Sequence, residues 1–240
     1  MKDNVMMSPS ERKERTLKNR KIVTKYLRDE IFTDTEVLAD LLELEQARSA
    51  NKILKAMARD GLLIEHKHGR KSVWGINKDG LLFSFDEHEE IPDRFTLFRP
   101  SKFNILTFEH KKQMQLLRNH STRSGWVNWM IPKPEKNKSC PDSIAVSPGG
   151  ETIAFEFERT IKSSVRYKTI LARHINAVGE GRYSRVLYLS QSEPILKRLK
   201  RMFINLIGEE LKELKRENKR CSEQEVKSIF TFITLEQLSG

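Results

Sequence analysis

Hydrophobic positions in the first eighty residues recur at helical spacing and then switch to alternation. Leu17, Ile22, Val23 and Leu27 predict a first helix. Thr33-Asp34-Thr35-Glu36 offers a start signal for a second, with Val37, Leu38, Leu41 and Leu42 on its apolar side. A third runs from about Gln46 to Asp60 with Ala50, Ile53, Leu54 and Met57 inward, and Gly61 closes it. Leu62-Leu63-Ile64-Glu65 and Ser72-Val73-Trp74-Gly75-Ile76 then read as two strands joined by the basic turn Lys67-His68-Gly69-Arg70-Lys71. Further along, the pattern predicts a helix from Asn104 to Arg118 and a strand over Trp126–Met130. A hairpin folds about Pro148-Gly149-Gly150, and a core strand follows over Arg185–Ser190. A long amphipathic helix is predicted from Leu196 to Leu214, and a last strand from Ile229 to Leu235.

Three helices followed by a ribbon with a basic tip is the order of a winged helix-turn-helix, whose third helix enters the major groove while the wing touches flanking phosphates. Arg48, Asn51, Lys52, Lys55 and Arg59 fall away from the apolar side of the third helix, and Arg70 and Lys71 sit at the wing tip. Arg and Asn suit guanine and adenine edges and Lys suits phosphates, so the expected partner is double-stranded DNA. A solvated helix face, or a winged helix that binds protein, are the competing readings.

Charge sharpens this. The 240 residues carry 44 Lys+Arg against 33 Asp+Glu, a net +11 that favours polyanions. With 38% hydrophobic residues the chain can build a sizeable core. No apolar run approaches the roughly 20 residues needed to span a bilayer, and the N-terminus lacks a signal-peptide apolar region, so a cytoplasmic location is expected. Cys140 and Cys221 are far apart and suit neither a disulfide framework nor a zinc finger. The acidic stretch Asp86–Asp93 reads as a solvated connection. The expected organisation is a flexible basic tail at 1–14, a DNA-binding domain at 15–85, a linker at 86–100 and a second domain at 101–240.

The second domain carries the candidate chemistry, in Pro141-Asp142 and Phe155-Glu156-Phe157-Glu158. Side chains alternate along a strand, so Ile153, Phe155 and Phe157 share one face and Ala154, Glu156 and Glu158 the other. Burying the apolar face leaves Glu156 and Glu158 projecting together, with Asp142 on the paired strand able to converge on them. Three carboxylates so placed repel one another unless a cation sits between them, and hard oxygen ligands suit Mg²⁺ or Mn²⁺. Such an ion polarises a phosphodiester and activates water. Lys162 and Lys168 are candidates to stabilise the transition state, and Arg159, Arg166, Lys168 and Arg173 could bind phosphates beside the metal. The competing reading is an ordinary strand with acids on a solvent face. Tyr167, the tyrosine nearest the hairpin, fits packing better than covalent catalysis.

Pro141-Asp142 with Glu156-Phe157-Glu158 resembles the PD-(D/E)xK nuclease core of restriction endonucleases, in a variant with Glu158 at the position usually held by Lys. The string from Phe155 to Ser163, preceded by a winged helix, resembles the replication-relaxation family that includes MobC-type plasmid relaxases. The resemblance covers about residues 15–190 through short motifs. It implies an α+β chain, with a winged helix followed by a restriction-endonuclease-like α/β core built on a central mixed sheet. It also implies a metal-dependent, strand-specific nick at a plasmid transfer origin, with accessory mobilisation proteins and a coupling protein as partners. Asp142, Glu156 and Glu158 become metal ligands, Lys162 the displaced lysine, and His110 a polar group brought to the metal by the preceding helix. For His110 a place on the surface of the basic Glu109–Lys112 run is an equal alternative. Two other readings are a non-enzymatic plasmid replication or transcription regulator and a restriction-like enzyme that cuts both strands.

Overall fold

A computed structural model describes residues 8–136, 138–234 and 237. The chain is mixed α+β and forms two compact units, 1–116 and 117–240.

The first unit opens with α1 (Pro9–Glu30). Ser8 and Glu11 form a capping box at its start and Pro9 occupies the first turn, where its missing N–H costs nothing. The expected flexible tail is therefore helical from Pro9 onward, and only residues 1–7 lie outside the described residues. Ile31 ends α1 at φ 70°, rare for a β-branched residue, and turns the chain into the short strand β1 (Phe32–Asp34). Asp34 caps α2 (Thr35–Leu41) by accepting from the Val37 N–H at 3.0 Å. Next come α3 (Ala47–Arg59), β2 (Leu63–His68), β3 (Lys71–Ile76) and α4 (Lys78–Ser84). The strands form an antiparallel sheet in the order β1-β3-β2.

One face of that sheet joins the helical core. Trp74, Ile76 and Leu63 pack with Val23, Leu27, Leu38, Leu54 and Met57. The other face carries Val73 and Gly75 and is covered by Phe98 and Phe108. Gly75 is needed here because a Cβ would be driven into the Phe98 ring. Gly75→Ala is expected to lower stability by about 3 kcal/mol, the upper end for overpacking. A urea midpoint equal to that of the parent protein would contradict this packing.

The segment expected to be a solvated linker is held by ion pairs. Asp86 pairs with Lys21 at 3.1 Å and with Lys25, and Glu89 makes a two-pronged pair with Arg28. The basic flank of α1 neutralises this acidic stretch, so it stays with the first unit.

Helix α5 (Ile105–Arg123) begins in the first unit and ends in the second, which moves the division from 100/101 to 116/117. The cause is polar. Lys111 pairs with Glu30 at 2.9 Å and Lys112 with Asp34 at 2.7 Å. Gln115, buried, donates to the Phe32 carbonyl at 2.9 Å and to Glu30 at 3.1 Å.

In the second unit β4 (Val127–Met130), β5 (Ser143–Val146), β6 (Thr152–Phe157), β7 (Arg185–Ser190) and β8 (Phe230–Thr234) form a mixed sheet in chain order. The first three run antiparallel, whereas β6, β7 and β8 are mutually parallel. Parallel neighbours need a crossover, supplied by α6 (Ser164–Gly179) between β6 and β7 and by α7 (Glu193–Asn205) with α8 (Glu223–Ile229) between β7 and β8. Their apolar sides cover one sheet face, where Ala154, Val186 and Tyr188 meet Tyr167, Leu171, Leu199 and Phe203. The opposite face holds Phe155 under Trp126 and Trp129, at ring separations of 5.2 and 5.0 Å.

The predicted long helix to Leu214 is corrected. α7 stops at Asn205, and Gly208 at φ 79° bends the chain away. Leu206, Leu211 and Leu214 are buried from the non-helical segment that follows α7, so their helix-like spacing reflects burial alone.

Candidate active site and nucleic-acid interface

The basic residues expected to touch DNA all lie in the first unit. Arg48 and Asn51, from the exposed side of α3, line a cavity of about 360 Å³ with Lys67, Arg70 and Lys71 from the β2–β3 ribbon. Lys52, Lys55 and Arg59 line a second depression, beside Glu65. The helix and the ribbon thus bring four of the seven candidates to one cleft, and the other three continue along α3. Asp34 and Glu36 also line the cleft, but the Lys112 ammonium is bonded to both. Burial works to lower the Lys112 pKa, and the two carboxylate hydrogen bonds outweigh it and hold it above the ordinary lysine value. The acids of the cleft are in this way offset from behind. At the ribbon tip Lys71 keeps a loose pair with Glu109 at 3.7 Å.

The carboxylates lie in the second unit. Ser143 pairs with Phe155 across β5 and β6, and continuing that register by one residue sets Asp142 opposite Glu156. Directly opposed residues of an antiparallel pair point to the same side of the sheet. Asp142 Oδ2 also accepts from the Phe157 N–H at 2.8 Å, which ties the β5 entrance to the end of β6. The face that carries Glu156 is not a solvent face. It is the face packed against α6 and α7, because the parallel pair β6–β7 places its crossover helix there. Both faces of β6 are covered. Glu156 keeps a 16% exposed side chain, and Glu158, just past the strand, is 4% exposed. An ordinary solvent-facing acidic strand does not describe this arrangement.

No family model, curated protein or solved structure matches this chain.

Each carboxylate has a distinct environment. Glu156 Oε1 lies 3.2 Å from His174 Nε2, in contact although poorly aligned for a linear hydrogen bond. His174 is fully buried, and its Nδ1 meets the Tyr183 hydroxyl at 2.7 Å and Ser139 Oγ at 3.1 Å. Burial pushes its pKa down to about 3, so the ring is neutral near pH 7. If Tyr183 donates to Nδ1, the single ring proton sits on Nε2 and faces Glu156; this is the tautomer that satisfies the most partners. Glu158 is bonded instead to the Lys162 ammonium, which also lies 5.9 Å over the Tyr167 ring.

Among the described residues no group of three or more His, Cys, Asp or Glu side chains is arranged to hold a metal ion. Of the expected trio, Asp142 and Glu156 are brought to one face, while Glu158 is engaged by Lys162. His110 belongs to the first unit, half-buried on α5, apart in the chain's division from the other candidates. Two of the proposed phosphate binders are neutralised by acids that follow α7: Lys168 pairs with Glu209 at 3.1 Å and Arg173 with Glu213 at 2.7 Å. Tyr167 is fully buried against Phe203, and burial raises its pKa to about 12, which suits packing and not a nucleophile.

His174, Tyr183 and Ser139 were not among the sequence candidates. The available signal was position: His174 falls in the apolar stripe of α6 with Tyr167, Leu171 and Ile175, where a polar ring needs a partner beneath the helix.

Proposed function

We propose that this protein is a metal-dependent DNA-nicking enzyme of relaxase type, in which a winged-helix unit selects the site and an α/β nuclease-like unit cuts one strand. The observation that carries the reading is the opposition of Asp142 and Glu156 on the packed face of a mixed sheet. Support for the winged helix comes from the cleft that Arg48, Asn51, Arg70 and Lys71 share.

The donor set fits Mg²⁺ or Mn²⁺ in chemistry, being all carboxylate oxygen on Asp142 and Glu156. Asp142 and Glu156 would hold the ion, which when bound supplies polarisation of the phosphodiester and an activated water. His174 lies against the Glu156 carboxylate without adding charge. Lys162, gripped by Glu158, occupies the role of the displaced lysine and directs positive charge toward the phosphoryl oxygens in the transition state. Transfer-origin DNA, accessory mobilisation proteins and a coupling protein are the partners this reading entails.

Supercoiled plasmid carrying a candidate origin, incubated with the protein and Mg²⁺ or Mn²⁺, is expected to become open circular. Linear product would point to a double-strand endonuclease. The second reading, a DNA-binding regulator on a nuclease-like scaffold, is favoured by the Glu158–Lys162 pair, which satisfies two groups the chemistry would use. Plasmid left supercoiled under every metal condition would select it. For site choice, Arg48→Ala is expected to cost about tenfold in cognate-duplex affinity, within the 1–3 kcal/mol of a good base contact. An unchanged preference for cognate over scrambled duplex would remove Arg48 from base readout.

A further inference from the structure

The ribbon that borders the DNA cleft has a second face, and that face builds a pocket with different chemistry. Along β2, Glu65 and Lys67 share the side of Trp74 and Ser72, whereas Ile64, His66 and His68 lie on the other side with Val73 and Gly75. His66 and His68 meet the Phe103 ring at 5.3 and 5.4 Å, and Phe103 continues the cluster to Phe32 at 5.9 Å and Phe108 at 5.5 Å. Beside them opens a cavity of about 390 Å³ lined by Phe32, Phe95, Phe98 and Phe103 together with Arg99 and Lys102. The volume falls within the roughly 300–1,000 Å³ of pockets that hold small ligands.

Three features narrow the occupant. No acidic residue lines the cavity, and among the described residues Arg99 and Lys102 have no carboxylate partner, so two free cations sit at its mouth. Phe95 is 40% exposed, and among the described residues no ring contact involves it, whereas Phe32, Phe98 and Phe103 each have one. Four of the lining side chains are phenyl rings, and Ile31 and Leu97 stand beside them. A flat aromatic group attached to negative charge matches this lining of rings and cations.

We infer that this pocket binds single-stranded nucleic acid, with an unpaired base against Phe95 and Phe103 and the adjoining phosphates on Arg99 and Lys102. Duplex DNA does not fit, because its base faces are stacked on one another and only edges are offered, whereas a single strand presents free π-faces. The pocket rests on the reading of the first unit as a nucleic-acid binder, and it adds a strand-state preference: one face of the ribbon for duplex, the other for an unpaired segment.

The test uses the full chain with a fluorescently labelled oligothymidylate of 15 nucleotides and, separately, a labelled duplex, each followed by anisotropy. Phe95→Ala is expected to weaken oligothymidylate binding about tenfold, within the 1–3 kcal/mol of one base–aromatic stack, and to leave duplex binding unchanged. Arg99→Gln combined with Lys102→Gln should flatten the dependence of log K on log salt by about 1.4 for the single strand, at about 0.7 per phosphate contact. Phe95→Trp should show fluorescence quenched by the oligonucleotide beyond that of the parent protein, a readout that does not depend on loss of binding. Unchanged single-strand affinity in both the Ala and the double variant would overturn the pocket, as would Arg48-dependent duplex binding with no single-strand binding. Phe95-dependent single-strand binding without any duplex binding would uphold the pocket and sink the duplex cleft instead.

Discussion

Glu156→Gln is expected to abolish nicking of supercoiled plasmid, by about 10³-fold or more, while duplex binding stays near that of the parent protein. A factor of that size is about 4 kcal/mol of transition-state stabilisation, within reach of a single group that holds a catalytic metal. The amide has the shape of the carboxylate but not its charge, and its neighbour His174 is already neutral, so the substitution strips no counter-ion from that ring. Folding should survive, and circular dichroism will check it. Full nicking by the variant would remove Glu156 from the metal site and with it the proposed chemistry. Loss of both nicking and duplex binding would instead point to a disturbed fold, and an Asp142→Asn variant then supplies an independent test from the opposite strand.

Lys112→Met is expected to destabilise the first unit by about 3–5 kcal/mol, the cost of breaking a buried ion pair from one side. The ammonium is 7% exposed and lies 2.7 Å from Asp34, itself 4% exposed and already capping α2. Methionine fills the volume but leaves the Asp34 charge buried without its counter-ion. Urea unfolding read by the fluorescence of Trp74, which lies in this core, measures it, and a midpoint within error of the parent would refute the pair's importance. A pH signature accompanies the loss. The hydrogen bond from Lys112 lowers the Glu36 pKa, so that carboxylate's contribution is complete above the ordinary carboxylate range and disappears as pH falls through the lowered value. In the variant the acid side of the stability profile should flatten. With Asp34 and Glu36 no longer offset behind the cleft, polyanion binding should also weaken.

Much of the first unit was legible because helical amphipathicity is a local property. The bounds and apolar stripes of α2 and α3 lie where Asp34, Gln46 and Gly61 predict them, and β2 and β3 run through the basic turn almost to its centre. Short elements escaped: β1 has three residues, and α4 and α8 have seven each, a length at which α2 was legible through its Thr33–Glu36 start signal and run of apolar residues. Residues 8–14 looked like a polar tail because the capping box of Ser8 and Glu11 starts α1 well before its first buried residue, Val23. The acidic stretch looked like a linker because its partners, Lys21, Lys25 and Arg28, lie some sixty residues earlier.

The site was legible in part for the same reason. Alternation along β6 correctly separates Phe155 from Glu156, and the Pro-Gly-Gly turn correctly pairs the strands that carry Asp142 and Glu156. What could not be read was which face is covered. A strand's own pattern records polarity and not the helix that will lie upon it, so acids on a packed face look the same as acids in water.

By itself, then, the sequence determined the local elements, the hairpin register and the uneven placement of charge, since each depends on residues within a few positions of one another. Only the tertiary structure decided that Glu156 lies under α6 beside His174, that Glu158 is taken up by Lys162, and that α5 begins as part of the first unit through Lys112 and Gln115. Those outcomes turn on desolvation and on partners distant in the chain, and neither leaves a periodic mark on the sequence.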